Sequence, residues 1–383
     1  MGYVNGFIRK LLENNLVVRN LIDMSNIKEL PYEQLQSDTI KLVRFPLIVG
    51  VMLLHVSFEL IIINGQTFVN PLDYPVYDYY KFFFDKVLAV RIPLYFFISG
   101  YLFFNRADSF TKSDYFKKLK RRKDTLMIPY VSWIVITIIV FGIQQTFFSQ
   151  FSSGLNTPLK DWGLDDVYYA FWGGPLLRPL WYIRDLFSIM VLSPILYWLI
   201  KKFKLIPVVI FTILWIIYDL LPVPGISLCG LAFFGFGAYF SITKKNFVRI
   251  FAPYSWYIYG LFLLLAICLF VLKGTDLEPY FNRFMTPVGS ICIILICSHL
   301  LYKKVCKPSD TLANASFFIY VYHQLPTTVL LKLVVTYVPM HSSFMLITMH
   351  LICTTIIVGG GLLGYLFIRR YSPLLLKLLS GGR

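Results

Sequence analysis

Ten apolar runs divide the chain, each about the roughly 20 residues that a helix needs to cross a hydrocarbon core of about 30 Å. They cover 42–64, 83–104, 126–147, 182–200, 205–221, 226–242, 252–272, 284–302, 312–335 and 344–368. Charged or turn-forming clusters separate them, among them Lys201-Lys202-Phe203-Lys204, Pro222-Val223-Pro224-Gly225 and Thr243-Lys244-Lys245. In lipid the backbone has no water to bond, so only helices and closed barrels span it. Barrel strands alternate polar and apolar residues, and these runs do not. The expected fold is an all-α integral membrane protein of about ten transmembrane helices. Composition agrees: only 15% of the residues are charged, against about 25% in soluble domains.

Basic residues give the orientation. Numbering the connections alternately puts the N-terminal tail, the loops at 105–125, 201–204, 243–251 and 303–311, and the tail from Arg369 on one side. That side holds 27 of the 36 Lys and Arg, with Arg44 counted at its rim. The expectation is N-in and C-in, with a cytoplasmic tail over 1–40, a membrane domain over 41–370 and a second cytoplasmic tail over 371–383. The N-terminal tail mixes charges and has no signal-peptide pattern. The net charge of +16 reads as topology rather than as a nucleic-acid surface. The six cysteines show no metal-ligand spacing, and small apolar packing residues are the simpler reading.

Titratable groups inside a membrane are costly and by default point to function. The first run carries Arg44, His55 and Glu59. Arg44 and His55, eleven residues apart, lie within roughly 20° on a helix, and His55 sits about 16 Å deeper than Arg44. Glu59, four residues on, adds roughly 40°. One stripe would then lead from the cytoplasmic rim to mid-membrane. His55 there suits a general base, and Glu59 would orient its imidazole. A structural polar stripe is the competing reading. The ninth run holds His323, with Tyr320 three residues before it on the same face; a histidine satisfied by a neighbouring helix is the plain alternative. His299 and His341 read as interface residues.

The loop at 105–125 carries eight basic residues, six of them between Lys117 and Lys123. Topology and anionic lipid explain such a cluster, as does a polyphosphate ligand bound by Lys120, Arg121, Arg122 and Lys123. Arg91, Trp181, Arg184 and Asp185 stand at the outer ends of the second and fourth runs. The outer segment 148–180 is rich in Trp and Tyr, which form interfacial belts or stack on sugars. Gly360 and Gly364 make a small-residue pair suited to close helix packing.

Taken in order, several stretches resemble the acyltransferase-3 family of bacterial membrane acyltransferases over roughly 40–370. They are Lys41-Leu-Val-Arg44 with His55 eleven residues on, Arg91-Ile-Pro-Leu-Tyr-Phe-Phe-Ile-Ser-Gly-Tyr101, and a basic loop ending in Ile128-Pro129-Tyr130. Leu180-Trp-Tyr-Ile-Arg-Asp-Leu186, Phe233-Phe-Gly-Phe-Gly-Ala-Tyr239 and Phe317-Phe-Ile-Tyr-Val-Tyr-His323 complete the set.

The resemblance implies a ten-helix bundle in the bacterial inner membrane. It would take an acyl group, commonly acetyl, from coenzyme A in the cytoplasm and pass it to a hydroxyl of a cell-surface glycan or lipid-linked glycan. Acyl-CoA is then a substrate, with no tightly bound cofactor and no metal. The family's first-helix arginine and histidine match Arg44 and His55. Its Arg-x-x-Arg pair in the basic loop is incomplete here, because Thr125 stands three residues after Arg122. Arg121 or Lys123 would substitute. Arg91, Trp181, Arg184, Tyr320 and His323 are expected on the acceptor side. Larger relatives carry a fused esterase-like domain; this chain is expected to finish transfer itself or to hand the acyl group to a separate protein. A reading from another class is a glycan transporter or flippase with Arg44, His55, Glu59 and His323 as a proton relay.

Overall fold

A computed structural model describes residues 32–63, 65–105, 110–147, 158–218 and 223–382. Most of the N-terminal tail and part of the outer segment 148–180 lie outside these residues. Within them the chain is helical, apart from a two-residue strand pair, Ile62–Ile63 with Gln66–Thr67. Five helical stretches are long and apolar enough to cross a membrane, and seven if each of two bent pairs counts as one span. The protein is thus a multi-pass helical membrane protein.

The unbroken stretches are Pro75–Phe104, Lys112–Phe147, Phe247–Val271, Glu278–Tyr302 and Ser343–Tyr371. The first contains α2 (Pro75–Phe82) and α3 (Arg91–Phe104), and the second α4 (Lys112–Arg122) and α5 (Ile128–Phe147). The bent pairs are α6 (Trp181–Val191) with α7 (Ser193–Phe203), at 62°, and α12 (Asp310–Tyr322) with α13 (Gln324–Tyr337), at 64°. Each bend has a proline just beyond it, Pro194 or Pro326. The ring removes one amide donor and clashes with the preceding turn. Two apolar helices are shorter, α8 (Ile206–Ile217) and α9 (Leu228–Ile242). The remaining long ones are α1 (Tyr32–His55), α10 (Ser255–Val271), α11 (Glu278–Tyr302) and α14 (Ser343–Tyr371).

Helix α1 is central, packed by α3, α11, α12 and α14 through Val43, Leu47, Ile48 and Val51. Close crossings depend on glycine. A Cβ on Gly100 of α3 would stand 2.1 Å from the Phe234 carbonyl oxygen of α9, and one on Gly237 would stand 2.0 Å from that of Phe97. No side chain fits either place. The glycines of α14 also pack closely as expected: Gly360 and Gly361 face Tyr322, and Gly364 faces Phe318.

The structure differs from the sequence reading, or adds to it, at four places. Helix α1 stops at His55 rather than running to 64. The segment before 83 contains α2. The basic loop is mostly helix from Lys112 onward. The tail after 371 forms α15 (Pro373–Ser380), with Leu376, Leu379 and Ser380 buried. The Trp133 indole donates to the Leu379 carbonyl at 3.0 Å, so this segment is part of the packed body. Among the described residues there are three wide π-helical turns, Phe83–Val87 and Lys123–Met127 within helical stretches and Tyr169–Gly173 at the end of the short helix Leu164–Tyr168.

Candidate active site

A helix that ends inside a bundle leaves its last carbonyls without partners, and in a membrane they must be met by protein. The end of α1 meets this with side chains from three other segments. The Arg91 guanidinium donates to the Gly50 carbonyl at 3.2 Å, and the Ser57 hydroxyl to that of Leu54 at 2.9 Å. His350 of α14 bonds the Leu53 carbonyl through Nε2 at 2.9 Å. A carbonyl only accepts, so His350 Nε2 carries a proton. His350 Nδ1 then accepts from the Tyr80 hydroxyl at 2.8 Å. Lys81 Nζ reaches Ser57 Oγ at 2.9 Å and ion-pairs with Asp85 at 3.3 Å. Positive groups at a helix C-terminus also suit its dipole.

This cap fixes His55, the last residue of α1. Its ring centroid lies 5.0 Å from that of His323, with the planes tilted by 42°. The two histidines singled out in the sequence therefore meet. His323 stands at the α12–α13 bend and is completely buried. Its Nδ1 lies 2.6 Å from the Tyr320 carbonyl oxygen.

Glu59 does not share the stripe. Because the helix ends at His55, Glu59 falls in the short 3-10 turn Phe58–Leu60. It accepts from the Tyr77 hydroxyl at 3.3 Å and faces Lys81 at 3.9 Å. Its carboxylate belongs to the group that holds the end of α1.

The arginines divide. Arg91 is buried; besides Gly50 it donates to the Phe84 carbonyl at 2.5 Å and to that of Asp85 at 3.3 Å. Arg184, also buried, pairs with Asp185 through Nε and Nη2, both at 2.9 Å. Its Nη1 donates to the Trp172 and Gly173 carbonyls at 2.5 and 3.2 Å. Tyr320 likewise donates its hydroxyl to the Pro179 carbonyl, and Trp181 is half-buried beside Phe96. The polar groups of Arg91, Arg184 and Tyr320 are thus engaged by the chain itself.

Arg44 differs. Its backbone carbonyl accepts from the Tyr95 hydroxyl at 2.6 Å, yet its guanidinium forms no hydrogen bond or ion pair among the described residues. Asp310, close enough for Arg44 to feel its charge, is ion-paired with Lys41 at 3.1 Å. Arg122 stands close enough to feel both Arg44 and Arg121 and is also half-buried and unpaired among the described residues. Lys120, Arg121 and Lys123 are exposed around it. Two half-buried, like-charged guanidinium groups within reach of one another's charge have the chemistry that suits an anion.

Sequence reading passed over Lys81, Asp85, His350 and Thr327. His350 carried a usable signal, a titratable group in the last apolar run. Lys81 did not, because its segment read as an outer loop.

A helical membrane bundle in which two histidines meet at one end of a helix that also carries an arginine unpaired among the described residues defines a multi-pass membrane protein with a polar site set among its helices. Residues 38–365 match the acyltransferase domain family, and the chain belongs to this acyltransferase-3 family. It is 26% identical over 366 residues to the succinoglycan biosynthesis protein ExoH of Rhizobium meliloti (strain 1021), which covers 91% of this chain and 92% of that protein. No solved structure matches it.

Proposed function

We propose that the protein transfers an acyl group, acetyl being the family's common one, from acyl-CoA to a hydroxyl of a cell-surface polysaccharide or its lipid-linked precursor. The observation that carries this reading is the placement of His55, 5.0 Å from His323, on the helix that also holds the unpaired Arg44. The coenzyme phosphates engage Arg44 and Arg122, with Lys120, Arg121 and Lys123 as a basic rim that raises their local concentration. The polysaccharide acceptor is supported by the name of the relative, a succinoglycan biosynthesis protein. In this reading ten segments cross the inner membrane, N-in and C-in. The donor enters from the cytoplasm and the glycan from outside.

His55 acts as base. It takes the proton of the acceptor hydroxyl as that oxygen bonds to the thioester carbonyl carbon. The carbon–sulfur bond breaks, the sulfur leaves with the electron pair, and His55 returns the proton to it.

The test is release of free thiol from acetyl-CoA by purified protein when a polysaccharide acceptor is present. His55→Ala lowers that rate by about 10²–10⁴-fold, with folding and insertion intact; near-normal turnover would exclude His55 as base. Reporter fusions within 65–80 and 150–175 read outside and those at 108–120 inside. A cytoplasmic signal from 150–175 overturns the topology. Broken helices also occur in transporters that bind substrate mid-membrane, and the two bent spans are the one feature favouring a flippase. Glycan translocation without thiol release would establish that reading instead.

A further inference from the structure

The tautomer of His323 gives the buried site a direction. Nδ1 bonds the carbonyl of Tyr320 on its own helix, so Nδ1 carries the ring proton. Nε2, on the other side of the ring, is then a bare acceptor. It is buried and has no hydrogen-bond partner among the described residues.

One turn later Thr327 repeats the situation. It is 5% exposed, and its Oγ1 also has no partner among the described residues. The Thr327 amide bonds the His323 carbonyl at 2.9 Å, so the two side chains leave the same helix face. Neighbouring threonines return their hydroxyls to the carbonyl four residues back: Thr328 to Gln324 at 2.9 Å, Thr336 to Lys332 at 2.8 Å and Thr354 to His350 at 2.8 Å. Thr327 does not. Two buried polar groups left bare are costly and mark a place that something else satisfies. His55 stands beside His323.

We propose that His323 Nε2 and Thr327 Oγ1 form a subsite for a second hydroxyl of the acceptor, on the carbon next to the reacting one. That hydroxyl donates its proton to Nε2 and accepts one from Thr327, while its neighbour faces His55. The subsite selects a sugar with a vicinal diol and fixes which of its two oxygens is acylated. This assignment rests on the acyl-transfer reading and adds Thr327 as a specificity residue.

Two measurements test it, on Thr327→Val and Thr327→Ser. The first is thermal unfolding of the purified protein without substrate. Thr327→Val replaces a bare hydroxyl by a methyl group of the same shape, so it unfolds a few degrees higher than wild type, while Thr327→Ser keeps the hydroxyl, loses a buried methyl group and unfolds below wild type. A lower unfolding temperature for Thr327→Val shows the hydroxyl to be bonded within the fold and overturns the proposal. The second is acyl transfer from acetyl-CoA to methyl hexopyranosides and their monodeoxy analogues. Wild type loses about 100-fold in kcat/KM when the neighbouring hydroxyl is missing, because the site's polar groups stay unpaired. Thr327→Val loses about 10-fold on the diol, discriminates less, and keeps the KM for acetyl-CoA. Equal use of diol and deoxy acceptors by wild type overturns the subsite. Stabilisation by Thr327→Val with no transfer to any hydroxyl by wild type instead removes the acyl-transfer reading, and the diol assignment with it.

Discussion

Among the arginines carried by the helices, two pairs are treated by the chain in opposite ways. Arg91 and Arg184 are almost wholly buried and fully engaged, by three backbone carbonyls in one case and by Asp185 with two carbonyls in the other. Arg44 and Arg122 are only half-buried, stand within reach of one another's charge, and bond nothing among the described residues through their guanidinium groups. A desolvated charge is tolerated when its donors are met. The first two are met by the fold, so they hold it together. The second two are not, and in the proposed function the coenzyme phosphates are their partners. Residue type is the same for both kinds, and the sequence does not display which guanidinium group finds its partners within the fold.

The contrast is broken most directly at Arg91. Arg91→Ala strips three buried carbonyls and the end of α1 of their donor, and a loss of roughly 3 kcal/mol or more is expected. It should show as a marked drop in thermal unfolding temperature and in the yield of monodisperse protein. A variant as stable as wild type would mean that Arg91 is not structural. Arg44→Ala is expected to do the opposite: unfolding is unchanged, while the KM for acyl-CoA rises about 10–100-fold, the equivalent of a charged hydrogen bond. If its kcat falls and KM stays, Arg44 acts in the transition state instead.

Smaller effects sharpen the comparison. Arg122→Gln should raise the same KM about 10-fold, and the double variant with Arg44→Ala should depart from additivity by more than about 0.5 kcal/mol, since the two share one anion. Strict additivity would separate them into unrelated sites. Least affected is the triple neutralisation of Lys120, Arg121 and Lys123. These side chains are exposed, so a change of about two- to threefold is expected at low salt, fading as salt screens the field. An effect as large as that of Arg122→Gln at high salt would place a direct contact in the rim.

The helical membrane fold was legible because apolar runs of spanning length leave a chain few choices. The meeting of His55 with His323 was legible too, since each is a titratable group at depth in its own run. What failed was the assumption that α1 continues past His55. Ser57, Lys81 and His350 supply the bonds that let the helix stop there, and they come from sequence positions up to 297 residues away. No periodicity within 42–64 encodes that, so Glu59 was placed on a face that does not exist. The same limit applies to Arg91 and Arg184, whose carbonyl partners are backbone atoms and leave no trace in residue identity.

The wide turns carry a consequence for how this chain tolerates change in length. Arg91 takes two of its carbonyls, those of Phe84 and Asp85, from the turn Phe83–Val87. Arg184 takes those of Trp172 and Gly173 from the turn Tyr169–Gly173. Arg122 directly precedes the third, Lys123–Met127. A π turn is an α turn with one residue more, its bonds running i to i+5 rather than i to i+4. Deleting one residue inside any of the three would let the turn close into an ordinary α turn. The flanking helices would keep nearly the same facing, since the extra residue is taken up within the turn, but the carbonyls that the wide turns offer to Arg91 and Arg184 would be drawn into α-helical bonds. For these three segments the count of residues is as informative as their kind, and single-residue deletions are a harsher probe than most substitutions.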